Sequence, residues 1–308
     1  MGDTAARWID VDWSSFDPWR VQGPLRHRLM EHPLLQWDQL LELGKRLDPL
    51  GQFRTHSNQA QAGTPFNDAP RMFRNRKSAV ETIQSLSDAS AWMSLLNVQT
   101  DPVYRTLVDA VLDQIKPQMD RVDPGMCYRA GWIFMASPHT VTPFHFDTEH
   151  SFIVQLEGRK KLYVWDPQDL EAASEHARDR FHAYHDRKLL VWREELRERA
   201  HVFELEPGVA AYMPCTSPHL VENGGGRSLT MSFTFYTDST RHNRALHKFH
   251  AGLRNFGITP PAVGENRLLD AAGHAWYRCR NVPAWVLRRV SGRKAHPEDA
   301  PYAFADAI

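Results

Sequence analysis

Apolar residues recur at helical spacing through the first third of the chain, then give way to short runs with the texture of strands. After Pro33, the residues Leu34, Leu35, Trp37, Leu40, Leu41 and Leu43 form a stripe that predicts a helix starting near the proline. Val103, Leu107, Val108, Val111, Leu112 and Ile115 repeat the pattern and predict a longer helix over 101–119, with Pro102 in its first turn. The Gly/Pro/Asn-rich stretch 63–75 between them reads as a loop. Residues 1–120 are therefore expected to be mainly helical and to pack on the domain C-terminal to them.

From about Met126 the aromatic and β-branched content rises. Residues 128–137, 140–146, 151–156 and 161–165 read as strands, with Gly158 at a turn. Residues 166–200 turn charged and helical, as an insertion would. Strands resume at 201–205, 210–213 and 229–236, separated by Pro207-Gly208 and Asn223-Gly224-Gly225-Gly226. Many short strands with Gly/Pro turns favour a barrel or sandwich over 121–239. From 240 to 308 helices are expected again: Leu246, Phe249, Leu253 and Phe256 form a narrow seam ending at Gly257, and Pro283 to Val290 could begin another helix.

The 308 residues hold 37 basic and 37 acidic side chains, which removes the usual reason to expect nucleic acid or an anionic membrane as partner. No helix-turn-helix signature accompanies them. The opening Met1-Gly2-Asp3-Thr4 is polar, so no secretory signal is expected, and no apolar run approaches the roughly 20 residues of a membrane span. Cys127, Cys215 and Cys279 are scattered and odd in number, which argues against a disulfide scaffold and for a reducing, cytoplasmic compartment.

Two segments carry the chemistry. In Thr142-Pro143-Phe144-His145-Phe146-Asp147, a strand would turn His145 and Asp147 to one face. In the second, a strand ends at Pro214, a turn follows, and His219 opens the next strand. A lone His-x-Asp is usually a surface or hydrogen-bonded pair, and His219 alone says no more. Together, two imidazoles and one carboxylate make the open facial triad of non-haem iron(II) sites. A structural zinc site would instead ask for four closed ligands, with thiolates common.

The second segment resembles the second cupin motif through Gly208, Pro214, His219 and Asn223, except that Thr216 stands where glycine is usual. The first resembles the first cupin motif through His145, Asp147 and Gly158, with aspartate for the second histidine and Ser151 for the glutamate. These departures are similar to the JmjC and cupin-8 oxygenases, and Thr142 to Asp147 followed by Gly158-Arg159-Lys160 resembles the asparaginyl hydroxylase of hypoxia-inducible factor. The resemblance covers about 125–236. It implies a double-stranded β-helix (jelly-roll) barrel, mainly β with flanking helices, that holds Fe(II) with His145, Asp147 and His219 and takes 2-oxoglutarate as cosubstrate.

The resemblance also implies that Lys160 and Thr142 bind the distal carboxylate of 2-oxoglutarate. Alternation alone does not choose between Lys160 and Lys161, because both faces of the strand after Gly158 carry apolar residues. Ser232 stands where an asparagine assists in the relative, and Tyr128 and Trp132 are further candidates for the pocket. No catalytic side chain beyond the metal ligands is expected. The implied reaction is hydroxylation of a peptide or protein side chain. The alternatives are an oxygenase acting on a small molecule, or a cupin-fold metal-binding or regulatory protein without 2-oxoglutarate turnover. The resemblance further implies a homodimer through the C-terminal helices; the alternative is packing within the chain.

Overall fold

The computed structural model describes residues 7–290, and side chains as far as 279. In chain order the elements begin with β1 (Ile9–Asp10), β2 (Gln22–His27), α1 (Trp37–Leu47), β3 (Phe53–Ser57), α2 (Ala69–Met72), α3 (Ala79–Gln84), β4 (Ala91–Leu95) and α4 (Pro102–Val122). The middle of the chain supplies β5 (Cys127–Ala136), β6 (Val141–His145), β7 (His150–Glu157), β8 (Lys160–Val164), α5 (Glu175–Tyr184), β9 (His201–Leu205), β10 (Val209–Met213), β11 (His219–Asn223) and β12 (Ser228–Tyr236). Two helices end the described chain, α6 (Asp238–Asn255) and α7 (Arg267–Val290).

The strands form two antiparallel sheets. The larger runs β1-β2-β10-β7-β12-β5-β4-β3 and the smaller β6-β11-β8-β9. Strand β12 shows why they face one another. Leu229, Met231, Phe233 and Phe235 point one way into the main core, with Leu107, Val111 and Ile115 of α4 and Leu40 and Leu43 of α1. Alternation turns Thr230, Ser232 and Thr234 to the opposite face, where Ser232 and Thr234 line a pocket. Deeper between the sheets, Ile153, Leu162, Val164, Leu205, Val209 and Val221 form a second apolar cluster. This is the mainly antiparallel β arrangement of a jelly roll, flanked by helices.

Local chemistry sets the element ends. Asp101 caps α4, accepting from the amides of Val103 and Tyr104 at 3.0 and 3.3 Å, with Pro102 next in line. Gly158 turns β7 into β8 at φ +76°, and the carbonyl of Arg227 would lie 2.2 Å from any Cβ there, so only glycine fits.

Four strands were not expected in the first 120 residues, and β1 to β4 extend the larger sheet at both edges. The segment 63–75, expected as a loop, holds α2 and a 3-10 turn at Phe66–Asp68. Within 166–200 only α5 and a 3-10 stretch at Glu194–Arg199 are helical. The first half of the C-terminal seam meets α7: a Cβ on Gly273 would lie 2.8 and 2.9 Å from Phe249 and Leu246, so the two helices approach closely there. Phe256 at the end of the seam is 86% exposed. Among the described residues, no helix is long and apolar enough to cross a membrane.

Candidate metal and cosubstrate site

Strands β6 and β11 pair antiparallel at one end of the smaller sheet, which sets His145 directly opposite His219. Two residues of β11 then face three of β6, because Val221 pairs with Thr142. This bulge turns Thr142 and His145 into the same pocket although they lie three apart in sequence. It also turns the carbonyl of Pro143 onto the His145 ring, 2.8 Å from Nδ1. His219 Nδ1 lies 3.1 Å from the carbonyl of Ser217. Each carbonyl accepts an N–H, so both rings present an unprotonated Nε2.

Those two Nε2 atoms lie 3.7 and 3.9 Å from Oδ2 of Asp147. The three ligand atoms lie within 4.8 Å of one another and could hold one metal ion. Burial pushes both histidines below their ordinary value of 6.5, and the neighbouring Arg187 acts in the same direction. Neutral imidazole is the form that ligates.

The shell behind the triad comes from segments that sequence reading did not single out. Arg187 donates to Asp147 Oδ1 at 2.8 Å, to the Phe146 carbonyl at 3.0 Å and to Asn67 Oδ1 at 2.8 Å. One carboxylate oxygen is thus held away while the other faces the histidines. The Phe66 ring lies parallel to His145, 3.8 Å centroid to centroid. The Thr216 amide donates to the Asp147 carbonyl at 2.8 Å and joins the two motif segments. Thr216 sits at φ +61°, in the left-handed region, which gives a physical reason for glycine at that motif position.

His145, Asp147, His219, Thr142, Lys160 and Ser232 all line one pocket, whose empty volume counted out to its open mouth is about 1030 Å³. Lys160 is 6% exposed, and burial alone pushes its ammonium down to about 7. Among the described residues it has no carboxylate within ion-pair distance. Lys161, one residue on, turns outward and pairs with Glu204 at 3.2 Å. Ser232 shares a hydrogen bond with Ser151, 2.7 Å between oxygens. Glu149 also faces the pocket, and burial, with Asp147 beside it, raises its carboxyl to about 7.

Trp132 borders the pocket, whereas Tyr128 is 40% exposed and packs edge-on against Tyr236 instead. His150, three residues after Asp147, is fully buried and accepts from the amide of Cys215 at 3.2 Å. A second cluster, Glu175, Asp179 and His247, also has metal-like spacing. There Arg178 pairs with Glu175 at 2.9 Å and Arg254 with Asp179 at 2.6 Å, so both carboxylates are already neutralised.

The X-ray structure of E. coli ycfD aligns with this chain with a TM-score of 0.49 at 15% identity, covering 89% of this chain and 68% of that one. A structure of YcfD, a ribosomal oxygenase from Escherichia coli, in complex with cobalt and 2-oxoglutarate aligns with a TM-score of 0.34 at 18% identity. That alignment covers 63% of this chain and 48% of the other, about half its length. No curated protein matches this chain in sequence. The cupin-like domain matches residues 12–241, a span that takes in strands β2 to β12, both motif segments and every pocket residue named above. By that match the chain belongs to the cupin-like domain family.

Proposed function

We propose that this protein is an iron(II)- and 2-oxoglutarate-dependent oxygenase that hydroxylates a peptide or protein side chain. The observation that carries this reading is Lys160: a buried ammonium without an anionic partner, in the same pocket as a His–Asp–His triad. A buried charge left unpaired is costly, so such a site favours a ligand that brings a carboxylate. 2-Oxoglutarate meets both ends of the pocket, with a chelating keto acid for the metal and a distal carboxylate for Lys160 and Thr142.

When bound, the metal and cosubstrate would serve to activate dioxygen, which is the oxidant for hydroxylation. The chain's own residues do the rest. Asp147 and the two histidines fill one face of the ion and leave neighbouring positions open. Arg187 and Phe66 hold Asp147 and His145 in place. Ser151 and Ser232 offer hydroxyls beside the cosubstrate, and the apolar cluster below keeps water from that end.

A cupin metalloprotein without 2-oxoglutarate turnover is disfavoured by the same lysine, which has no other described anion to meet. The test is purified protein supplied with iron(II), 2-oxoglutarate and candidate peptides and metabolites. Succinate formation with a one-oxygen mass gain on a peptide is expected; ribosomal proteins belong in the screen. No succinate under any condition would sink the reading. A cytoplasmic location and a homodimer through the C-terminal helices remain parts of the proposal. Light scattering tests the dimer, and a monomer at high concentration would dispose of it.

A further inference from the structure

The pocket has a second cationic pole that neither the metal triad nor the cosubstrate lysine uses. Arg54 of β3 and Ser94 of β4 are direct register partners, so their side chains stand next to one another on one face of the larger sheet. Both line the pocket. The Arg54 guanidinium donates from Nη2 to the Phe66 carbonyl and lies over the Phe66 ring, 4.1 Å from its centroid. Its Nε is buried without an acceptor, and the buried hydroxyl of Ser94 has no partner either. Two adjacent buried donors thus point to a ligand that the folded chain does not itself supply. Arg54 lacks a carboxylate within ion-pair distance among the described residues, whereas Arg187 has Asp147.

Charge bookkeeping gives the sign of that ligand. With a divalent ion on the triad and dianionic 2-oxoglutarate bound, those two cancel, and Arg187 offsets Asp147. Lys160 and Arg54 remain in excess. Even a fully ionised Glu149 would leave one positive charge inside a low-dielectric pocket. Trp92, Leu96 and Phe134 border the same region and supply apolar wall. Phe134 is the register partner of Ser94 on β5, so guanidinium, hydroxyl and ring lie in one row across three strands.

We infer that Arg54 and Ser94 form a carboxylate-recognition subsite, and that the side chain presented for oxidation is acidic, an aspartyl or glutamyl residue whose methylene groups rest against Phe134 and Trp92. An arginine fork suits a planar carboxylate held by two donors, and a neighbouring hydroxyl adds a third. This inference rests on the oxygenase reading for its chemistry, but its binding half can be tested without turnover.

The probe is a set of heptapeptide pools with random flanks and a fixed central Asp, Asn or Lys. Binding is measured by fluorescence anisotropy on cobalt-loaded protein with 2-oxoglutarate, without dioxygen, and succinate formation is followed separately with iron. The Asp pool should bind at least about tenfold more tightly than the Lys pool, since one charge-assisted bond is worth a decade or more. Arg54→Gln should flatten that preference, Arg54→Glu should reverse it, and Ser94→Ala should weaken Asp-pool binding severalfold. At saturating cobalt, 2-oxoglutarate affinity should stay within about twofold in all three variants, which also shows that they fold. An Asn pool binding as well as the Asp pool, or a preference unmoved by Arg54→Glu, would overturn the subsite. Weakened 2-oxoglutarate binding in the Arg54 variants would overturn it too, by making the guanidinium part of the cosubstrate site. An Asp preference that persists without any succinate would leave the subsite standing and remove the oxygenase reading instead.

Discussion

Replacing Lys160 with methionine should make the unliganded protein more stable while depriving it of 2-oxoglutarate. Methionine keeps nearly the length of the lysine stem and drops the charge. Burial moves the ammonium from 10.5 to about 7. At about 1.4 kcal/mol per pH unit, that displacement corresponds to at most about 5 kcal/mol of penalty for the charged form. Below about pH 7 the folded protein carries the charged lysine and the penalty is complete. Above about pH 10.5 neither folded nor unfolded chain is charged there, and the penalty is gone. Between those limits the unfolded chain binds more protons, so this residue makes stability climb with pH.

Urea unfolding of metal-free protein at pH 7 should show Lys160→Met more stable by about 1–4 kcal/mol, the range seen when buried charges give way to apolar groups. Its advantage should shrink as the pH is raised toward 10. Titration calorimetry should show 2-oxoglutarate binding weakened at least about tenfold, the loss of one charge-assisted bond. In the unmodified protein, affinity for 2-oxoglutarate should fall about fivefold from pH 7 to pH 8 as the lysine loses its proton. A Lys160→Met protein that is less stable yet binds 2-oxoglutarate normally would refute the reasoning at both ends.

Lys161→Ala should alter 2-oxoglutarate affinity by less than about twofold, because that ammonium pairs with Glu204 at the surface; a large loss in calorimetry would move the cosubstrate to the other face of β8. Arg187→Ala should lower iron affinity about 10–100-fold in equilibrium dialysis by freeing Asp147, the usual range for a group that orients a ligand; unchanged affinity would make Arg187 a scaffold for residues 66–67 alone. Burial holds His145 and His219 below 6.5, so protons compete with the metal only in acid. Bound iron should therefore be level from pH 8 to about 6.5 and fall below that, and a steep loss between pH 8 and 7 would contradict it.

How much the sequence revealed depended on composition and bounding turns rather than on burial, since β7 and β12 are buried on both faces over almost their whole length. Strands β5, β7 and β12 were legible because aromatic and β-branched residues gather in them and Pro124-Gly125, Gly158 and Gly224-Gly225-Gly226 mark their ends. Strands β4, Ala-Trp-Met-Ser-Leu, and β3, Phe-Arg-Thr-His-Ser, are short and mostly of one polarity each, so neither shows a two-residue period. Arg54 and Ser94 were hidden in those two strands. The choice between Lys160 and Lys161 was illegible for a related reason. Tyr163 on the outer face of β8 packs with Trp192 and Leu196 of the 166–200 segment, so both faces of the strand read as interior. Arg187 lay in the same segment, where composition is charged and no periodicity marks one residue above its neighbours. His145, Asp147 and His219 were visible because a strand and a turn fix their spacing.

The extra residue in β6 bears on how this pocket tolerates insertions and deletions. Thr142 and His145 share a face only because three residues of β6 span two of β11. Deleting Pro143 or Phe144 would restore even pairing at the edge strand, and the sheet could close over the change without losing a ladder. The histidine would keep its place opposite His219, and Thr142, then two residues before it, would stay opposite Val221 on the same face. Inserting one residue there instead, with the bulge unchanged in size, would push Thr142 one step along the strand and turn its hydroxyl to the other face. A length change at this edge strand is therefore asymmetric: the bulge absorbs a loss, whereas a gain takes the threonine hydroxyl out of the pocket.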